Sequence, residues 1–199
     1  AMVLGGHRSY YGPGSDCMHI YDIDTRERRR AVTDDVIKGV RLVDGLPNLD
    51  FVMSMFLPSD IPEDQYERYQ MAVMLQESTK PIVFVGIDAD STRYAIKMAE
   101  IVSGGPDQLM RFPFIINYVN TVSAFHHNEE SVKRLLYAAE RNLPTIYSPG
   151  TSRGVTAPIT IAGALALGNA GHLAGLVLSQ LKRPGSPFLR SHPTGASMD

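Results

Sequence analysis

Tyr10, Tyr11, Tyr118, Phe125 and Tyr147 are aromatic residues in or beside segments that can end a strand. Asp16, Asn117 and His126 lie close to them along the chain. Aromatic faces beside a few carboxylates can cage a quaternary ammonium group, each ring attracting the cation by about 0.5 to 2 kcal/mol. The same rings can serve equally well as core filling and rim cover, and composition alone leaves both readings open.

A second candidate is the loop Ser148-Pro-Gly-Thr-Ser-Arg-Gly154, which follows the β-branched and aromatic run Thr145-Ile-Tyr147. Thr156 can cap a following helix and Pro158 can occupy its first turn. Strand, glycine loop and helix start form the grammar of an anion cradle, and Arg153 adds a positive charge. The Gly-Lys-Ser/Thr of a P-loop is absent, however, and proline has no N–H to offer a phosphate. The loop can hold an anion, hold another ligand or simply turn the chain. Adjacent His126 and His127 would point in different directions on a regular element. His7, His19, His172 and His192 show no ligand spacing, so no metal site is expected. No Gly-x-Ser-x-Gly elbow supports a serine nucleophile.

Composition narrows the classes further. The 199 residues carry a formal net charge of −2, which gives no global attraction to nucleic acid or anionic membranes. The basic run Arg26-Glu-Arg-Arg-Arg30 has no interleaved aromatics and reads as a solvated approach to a helix. Cys17 is the only cysteine, which excludes an intramolecular disulfide and fits a reducing cytoplasm. No uninterrupted apolar run of about 20 residues is expected to span a membrane. The start Ala1-Met2-Val3 lacks the basic and apolar regions of a signal peptide.

The elements that would position these residues repeat. Apolar runs start at 51, 81, 114 and 145, about 30 to 33 residues apart, which is the size of a βαβ unit. Helices are expected between them near 62–76, 91–102 and 132–139. Val132, Leu135, Leu136 and Ala139 share one face of the last. Two helices are expected over 156–182, and a short fifth strand at 187–190. Earlier, Thr33 caps a helix with Val36, Ile37, Val40 and Val43 on one face, after a strand-plus-loop segment at 3–31. Continuously apolar strands suit a parallel sheet covered by helices. The first clear strand-to-helix turn, Leu57 to Pro62, has no glycine, which argues against a dinucleotide-binding sheet and for a (β/α)₈ barrel. Such a barrel needs roughly 250 residues. The pattern therefore predicts one domain that is roughly half to two-thirds of a barrel, ending in a loop at Gly195–Asp199 and leaving open sheet edges. Sites in such barrels lie after the strands, at Pro58–Asp60, Gly86–Asp88, Asn117–Asn120 and 148–154, with Tyr10–Asp16 expected to join them.

Four segments then resemble a known family: "GPGSD" at 12–16, "LPNLDFVMSM" at 46–55, "TKPIVF" at 79–84, and "GVTAPITIAGALALGNAGHLAGLVLSQLKRPGSPF" at 154–188. They resemble the trimethylamine methyltransferase family, corrinoid-dependent enzymes that include glycine betaine methyltransferases. The resemblance implies a (β/α)₈ barrel that passes a methyl group from a methylated amine to the Co(I) of a corrinoid carried by a separate protein. Cobalt(I) would be the nucleophile and a quaternary amine would leave neutral, so the barrel would orient and desolvate the methyl group. Trimethylamine enzymes of the family use pyrrolysine, at a position that would fall after Asp199. Gly171 departs from the pattern, since an acidic residue more usually follows Asn169-Ala170.

On this reading Tyr11, Asp16, Asn117, Tyr118, Phe125, His126 and Tyr147 line the substrate site, and Arg153 or His126 meets the carboxylate of a betaine. The expected partners are the corrinoid protein and a small methylated amine, in a homo-oligomer with neither nucleic acid nor membrane. The alternatives are a barrel lyase or isomerase of a phosphorylated metabolite, and an inactive fragment that associates with itself.

Overall fold

The arginine run is largely exposed and leads into the first helix, and its last three residues form a strand. β1 (His19–Tyr21) pairs antiparallel with β2 (Arg28–Arg30), with Ile20 opposite Arg29. The carboxylate of Asp22 accepts the amides of Asp24 and Thr25 at 3.0 and 3.2 Å and so holds the turn. Arg29 donates to Asp22 at 2.9 Å and, through both terminal nitrogens, to Asp35 at 2.8 and 2.9 Å. Arg29 is thus fixed in place by two carboxylates. The computed structural model from which these contacts come describes residues 7–191 and, for 194–196, the backbone. Expectations placed on Ala1–Val3, His192 and 197–199 lie outside the described residues.

The chain divides into two compact units, Ala1–Val85 with Tyr94–Ile115, and Gly86–Arg93 with Ile116–Asp199. In the first, α1 (Thr33–Gly45) buries Val36, Val40 and Val43. Thr33 does not cap it from outside. It is the first helical residue, and its amide and hydroxyl donate to Asp60 at 2.9 and 2.8 Å. The apolar run 51–57 is not a continuous strand either. Val52 bridges Ile82 and Phe56 bridges Cys17, both in parallel sense, while Met55 between them sits at φ 60°. A non-glycine residue in the left-handed region breaks a ladder, which is why two single bridges replace one strand. α2 (Tyr66–Glu77), β3 (Ile82–Val85) and α3 (Ala89–Ser103) follow close to expectation, and α4 (Pro106–Arg111) is an added turn of helix. α3 runs from the second unit into the first.

The second unit alternates strands and helices: β4 (Ile115–Thr121), α5 (Glu129–Glu140), β5 (Thr145–Pro149), β6 (Thr151–Arg153), α6 (Ile161–Lys182), β7 (Phe188–Arg190) and β8 (Thr194–Ala196). β4, β5 and β7 are adjacent parallel strands with Val119 opposite Tyr147 and Tyr147 opposite Arg190. β6 pairs parallel with β8, so Gly195 and Ala196, expected as loop, are strand. The result is a mixed α/β architecture with parallel strands and intervening helices.

One long helix replaces the two expected over 156–182. Its cap is Thr160, whose hydroxyl accepts the Gly163 amide at 3.2 Å, while Thr156 bonds back to Ser152. Gly168, Gly171 and Gly175 lie on its buried side with Ala164 and Ser179. They let the helix lie close to what it covers. A Cβ at Gly175 would stand 2.4 Å from the ring of Tyr147. At 22 residues α6 is long and apolar enough to cross a membrane by length and composition, contrary to the expectation that no run reaches that length.

Candidate functional site

Side-chain alternation sorts β4 and β5 into two faces. Toward the helices point Asn117, Val119 and Thr121 of β4, with Thr145 and Tyr147 of β5 in register beside them. Val119, Leu135 of α5 and Tyr147 form a fully buried cluster that Leu178 and Phe188 complete. Tyr118, Asn120 and Ser148 alternate to the opposite face, with Asn120 level with Ser148.

That opposite face carries a connected row of hydroxyls. The Tyr118 hydroxyl donates to Ser148 Oγ at 3.3 Å, and Ser191 Oγ donates to the same atom at 3.1 Å. Ser148 is fully buried, while Tyr118 and Ser191 are half-buried and Asn120 is exposed. The row lies at the carboxyl ends of three parallel strands, because Ser148 is level with Asn120 on one side and Ser191 follows Arg190, the partner of Tyr147, on the other. Parallel α/β sheets place ligands at this end. Tyr118 is held from behind, since its backbone carbonyl accepts the buried Arg134 guanidinium at 2.6 Å. The row contains no carboxylate and no imidazole. It can orient a ligand and exclude water, but it has no group suited to moving protons near neutral pH.

The remaining expected site residues are placed differently. Asn117 and Tyr147 are 1% and 0% exposed on the helix-covered face, so in this chain both are core residues and not rim. Asn117 donates to the Arg134 carbonyl at 3.4 Å. Tyr147 contacts His127 at 2.6 Å, and burial pushes its phenol up to about 12. Phe125, 81% exposed, and His126, also exposed, project from the loop between β4 and α5, where the His126 amide bonds to Ser123. It is therefore His127, and not His126, that is built into the structure. Arg153 is half-buried in β6, beyond the end of β5.

In the first unit, Tyr11 is 65% exposed and its amide donates to the Asp50 carboxylate at 2.8 Å. Asp16 sits at φ 68° beside the Cys17–Phe56 bridge, and burial raises its carboxyl above the ordinary range against the opposing Ser15 hydrogen bond. Strained backbone of this kind gathers at functional sites. Among the described residues, no group of three or more His, Cys, Asp or Glu could hold a metal ion.

The loop after β5 uses its own amides. Val155, Thr156 and Ala157 all donate to the Ser152 carbonyl, Gly154 donates to the Ala157 carbonyl, and Ser152 donates to the Thr156 hydroxyl. Gly154 turns the chain at φ 80°. An anion would have to displace these bonds, which tells against the phosphate reading. Ser191 was not legible in the sequence, because only the register of β7 brings it level with Ser148. Ser148 was legible only as the first residue after a strand.

The chain is 26% identical to a glycine betaine methyltransferase of Desulfitobacterium hafniense (strain Y51) over 94% of its length and 39% of the relative's. It is 29% identical to a trimethylamine methyltransferase of D. hafniense (strain DSM 10664 / DCB-2), covering 97% of this chain and 39% of that one. A proline betaine:corrinoid methyltransferase of Eubacterium limosum is 27% identical, over 82% of this chain and 35% of that protein. The chain thus spans less than two-fifths of the length of the curated relatives it matches. The family model for trimethylamine methyltransferase matches residues 1–198, and the chain belongs to that family.

Proposed function

We infer that the full-length protein carries this chain as part of a (β/α)₈ barrel and transfers a methyl group from a methylated amine to the Co(I) of a corrinoid on a separate protein. Family membership supports the methyltransferase class, and the names of the relatives point to trimethylamine and betaines as donors and to a corrinoid as acceptor. The observation that carries the reading onto this chain is the row Tyr118–Ser148–Ser191 at the carboxyl ends of parallel strands. Its aromatic ring and hydroxyls can hold and desolvate a methylammonium without offering a base that the reaction does not need.

Within this reading the corrinoid supplies the nucleophile, and the chain's residues orient the donor. Tyr118 presents its ring, Phe125 and His126 border the mouth from their loop, and Arg153 stands as a cation for a donor bearing a carboxylate. The test mixes full-length protein, the reduced corrinoid protein and each amine in turn, and follows the Co(I) absorbance. Loss of that absorbance with trimethylamine, glycine betaine or a related quaternary amine is expected. No loss with any methylated amine would overturn the assignment.

A further inference from the structure

The exposed ring of Phe125 stands between two anchored neighbours: Ala124 before it is buried, and His127 two residues on is half-buried. Around it the turn closes on itself. The Ser123 amide donates to the His126 carbonyl at 3.4 Å, and the His126 amide returns to the Ser123 carbonyl at 3.3 Å. The Thr121 hydroxyl, at the end of β4, donates to the same Ser123 carbonyl at 2.8 Å. A turn bonded in this way moves as one piece, so the direction of Phe125 depends on what the turn is tied to.

His127 supplies the tie. Its Nε2 donates to the Ala124 carbonyl at 3.2 Å, inside the turn, and its Nδ1 accepts the Tyr147 hydroxyl at 2.6 Å, on β5. The two rings stack, with centroids 5.7 Å apart and planes inclined by 15°. Tyr147 is itself immobilised, being fully buried with Gly175 of α6 against its ring. The Ala124 carbonyl is pinned as well, at Gly171 of the same helix, where a Cβ would stand 2.8 Å from it. Tyr147 lies on the helix-covered face, opposite Tyr118 and Ser148, so it can influence a donor only through the turn. An aromatic wall fixed before the cation arrives loses none of its attraction to ordering the ring. We propose that His127, held by Tyr147, is a positioning residue for methyl transfer, which fixes the β4–α5 turn so that Phe125 borders the mouth in one orientation. The proposal rests on the methylamine reading above, which puts Phe125 at the mouth, and adds what holds it there.

Steady-state kinetics of the full-length protein, with the corrinoid protein and the amine it demethylates, test the role. Tyr147→Phe keeps the stacked ring and removes only the hydroxyl. It is expected to raise KM for the amine about three- to tenfold and leave kcat within about twofold, because a wall that meets ground state and transition state alike acts on KM. His127→Phe, which keeps a ring but neither hydrogen bond, should match it. Phe125→Ala should raise KM similarly, and Tyr147→Phe should add nothing further in that background, since both act through one ring. An unchanged KM in Tyr147→Phe, or effects of Tyr147→Phe and Phe125→Ala that multiply in the double variant, would overturn the positioning role while the methylamine reading stands. No turnover by the unsubstituted protein with any methylated amine would overturn that reading, and the positioning role with it.

Discussion

The ring of Tyr147 occupies the space that a side chain at Gly175 would need: a Cβ there would stand 2.4 Å from both Cδ1 and Cε1. The contact fixes how closely α6 lies on β5, and it joins the cluster of Val119 and Leu135 to the C-terminal half of the helix. Gly175→Ala forces the ring or the helix to move. We expect a loss of about 1 to 3 kcal/mol, typical of overpacking a well-filled core. Thermal unfolding followed by circular dichroism measures it. Combining Gly175→Ala with Tyr147→Leu should recover part of the loss, because the two substitutions share one contact.

The Tyr147 hydroxyl has a defined partner. Nε2 of His127 lies 3.2 Å from the Ala124 carbonyl, which can only accept, so Nε2 carries the proton. That leaves Nδ1 as the acceptor for the Tyr147 O–H at 2.6 Å. Burial holds this phenol up to about 12, against about 10 in the unfolded chain. Raising an acid's value in the folded state stabilises the fold below pH 10, and that contribution disappears as pH rises from about 10 to 12. Urea midpoints at pH 9 and pH 11 should therefore fall further for the unsubstituted chain than for Tyr147→Phe. Equal falls would show that the phenol is not shielded as described.

The acidic side of the pH range is governed by Arg29. Its guanidinium, with the amides of Thr25 and Asp24, lowers Asp22 to about 2, and it lowers Asp35 as well. A depressed carboxylate contributes stability that is complete above its unfolded value of about 4 and is lost as pH falls toward the folded value of about 2. Arg29→Ala should flatten the decline in stability between pH 4.5 and 2.5, measured by urea titration at each pH. If the slope is unchanged, the hairpin and α1 are not joined through these ions.

The sequence carried the order of elements better than their edges. Strands β3, β4 and β5 and helices α2, α3 and α5 are legible because apolar runs and i, i+3, i+4 spacing are local signals. The break at Met55 is not legible, because a positive φ at a methionine is set by tertiary packing. The single span of α6 is not legible for the same reason: Gly171 and Gly175 weaken a helix locally and admit the Pro149 and Tyr147 side chains it packs against. At the site, residue type alone grouped Asn117, Tyr118 and Tyr147, yet strand alternation sends Tyr118 to one face and the other two into the core. Adjacent His126 and His127 separate likewise, one exposed and one held by Tyr147.

Gly171 lies on the buried side of α6, against the segments of Ala124 and Pro149. A Cβ at 171 would lie 2.8 Å from the Ala124 carbonyl oxygen, 2.8 Å from Pro149 Cβ and 2.9 Å from Pro149 Cγ. A backbone oxygen and a proline ring cannot swing aside as the end of a flexible side chain can. Gly171→Ala should therefore cost about 1 to 3 kcal/mol. Gly171→Asp should cost more, since it also drives a carboxylate toward a carbonyl oxygen at a buried position. Relative to Gly171→Ala, its midpoint should rise as pH falls toward the ordinary aspartate range from above it, because the site raises this carboxyl and its protonation relieves the repulsion. That rise separates the electrostatic part of the cost from the steric part, which Gly171→Ala reports alone. An aspartate variant as stable as the unsubstituted chain at pH 7 would mean that α6 does not press against the Ala124 and Pro149 segment.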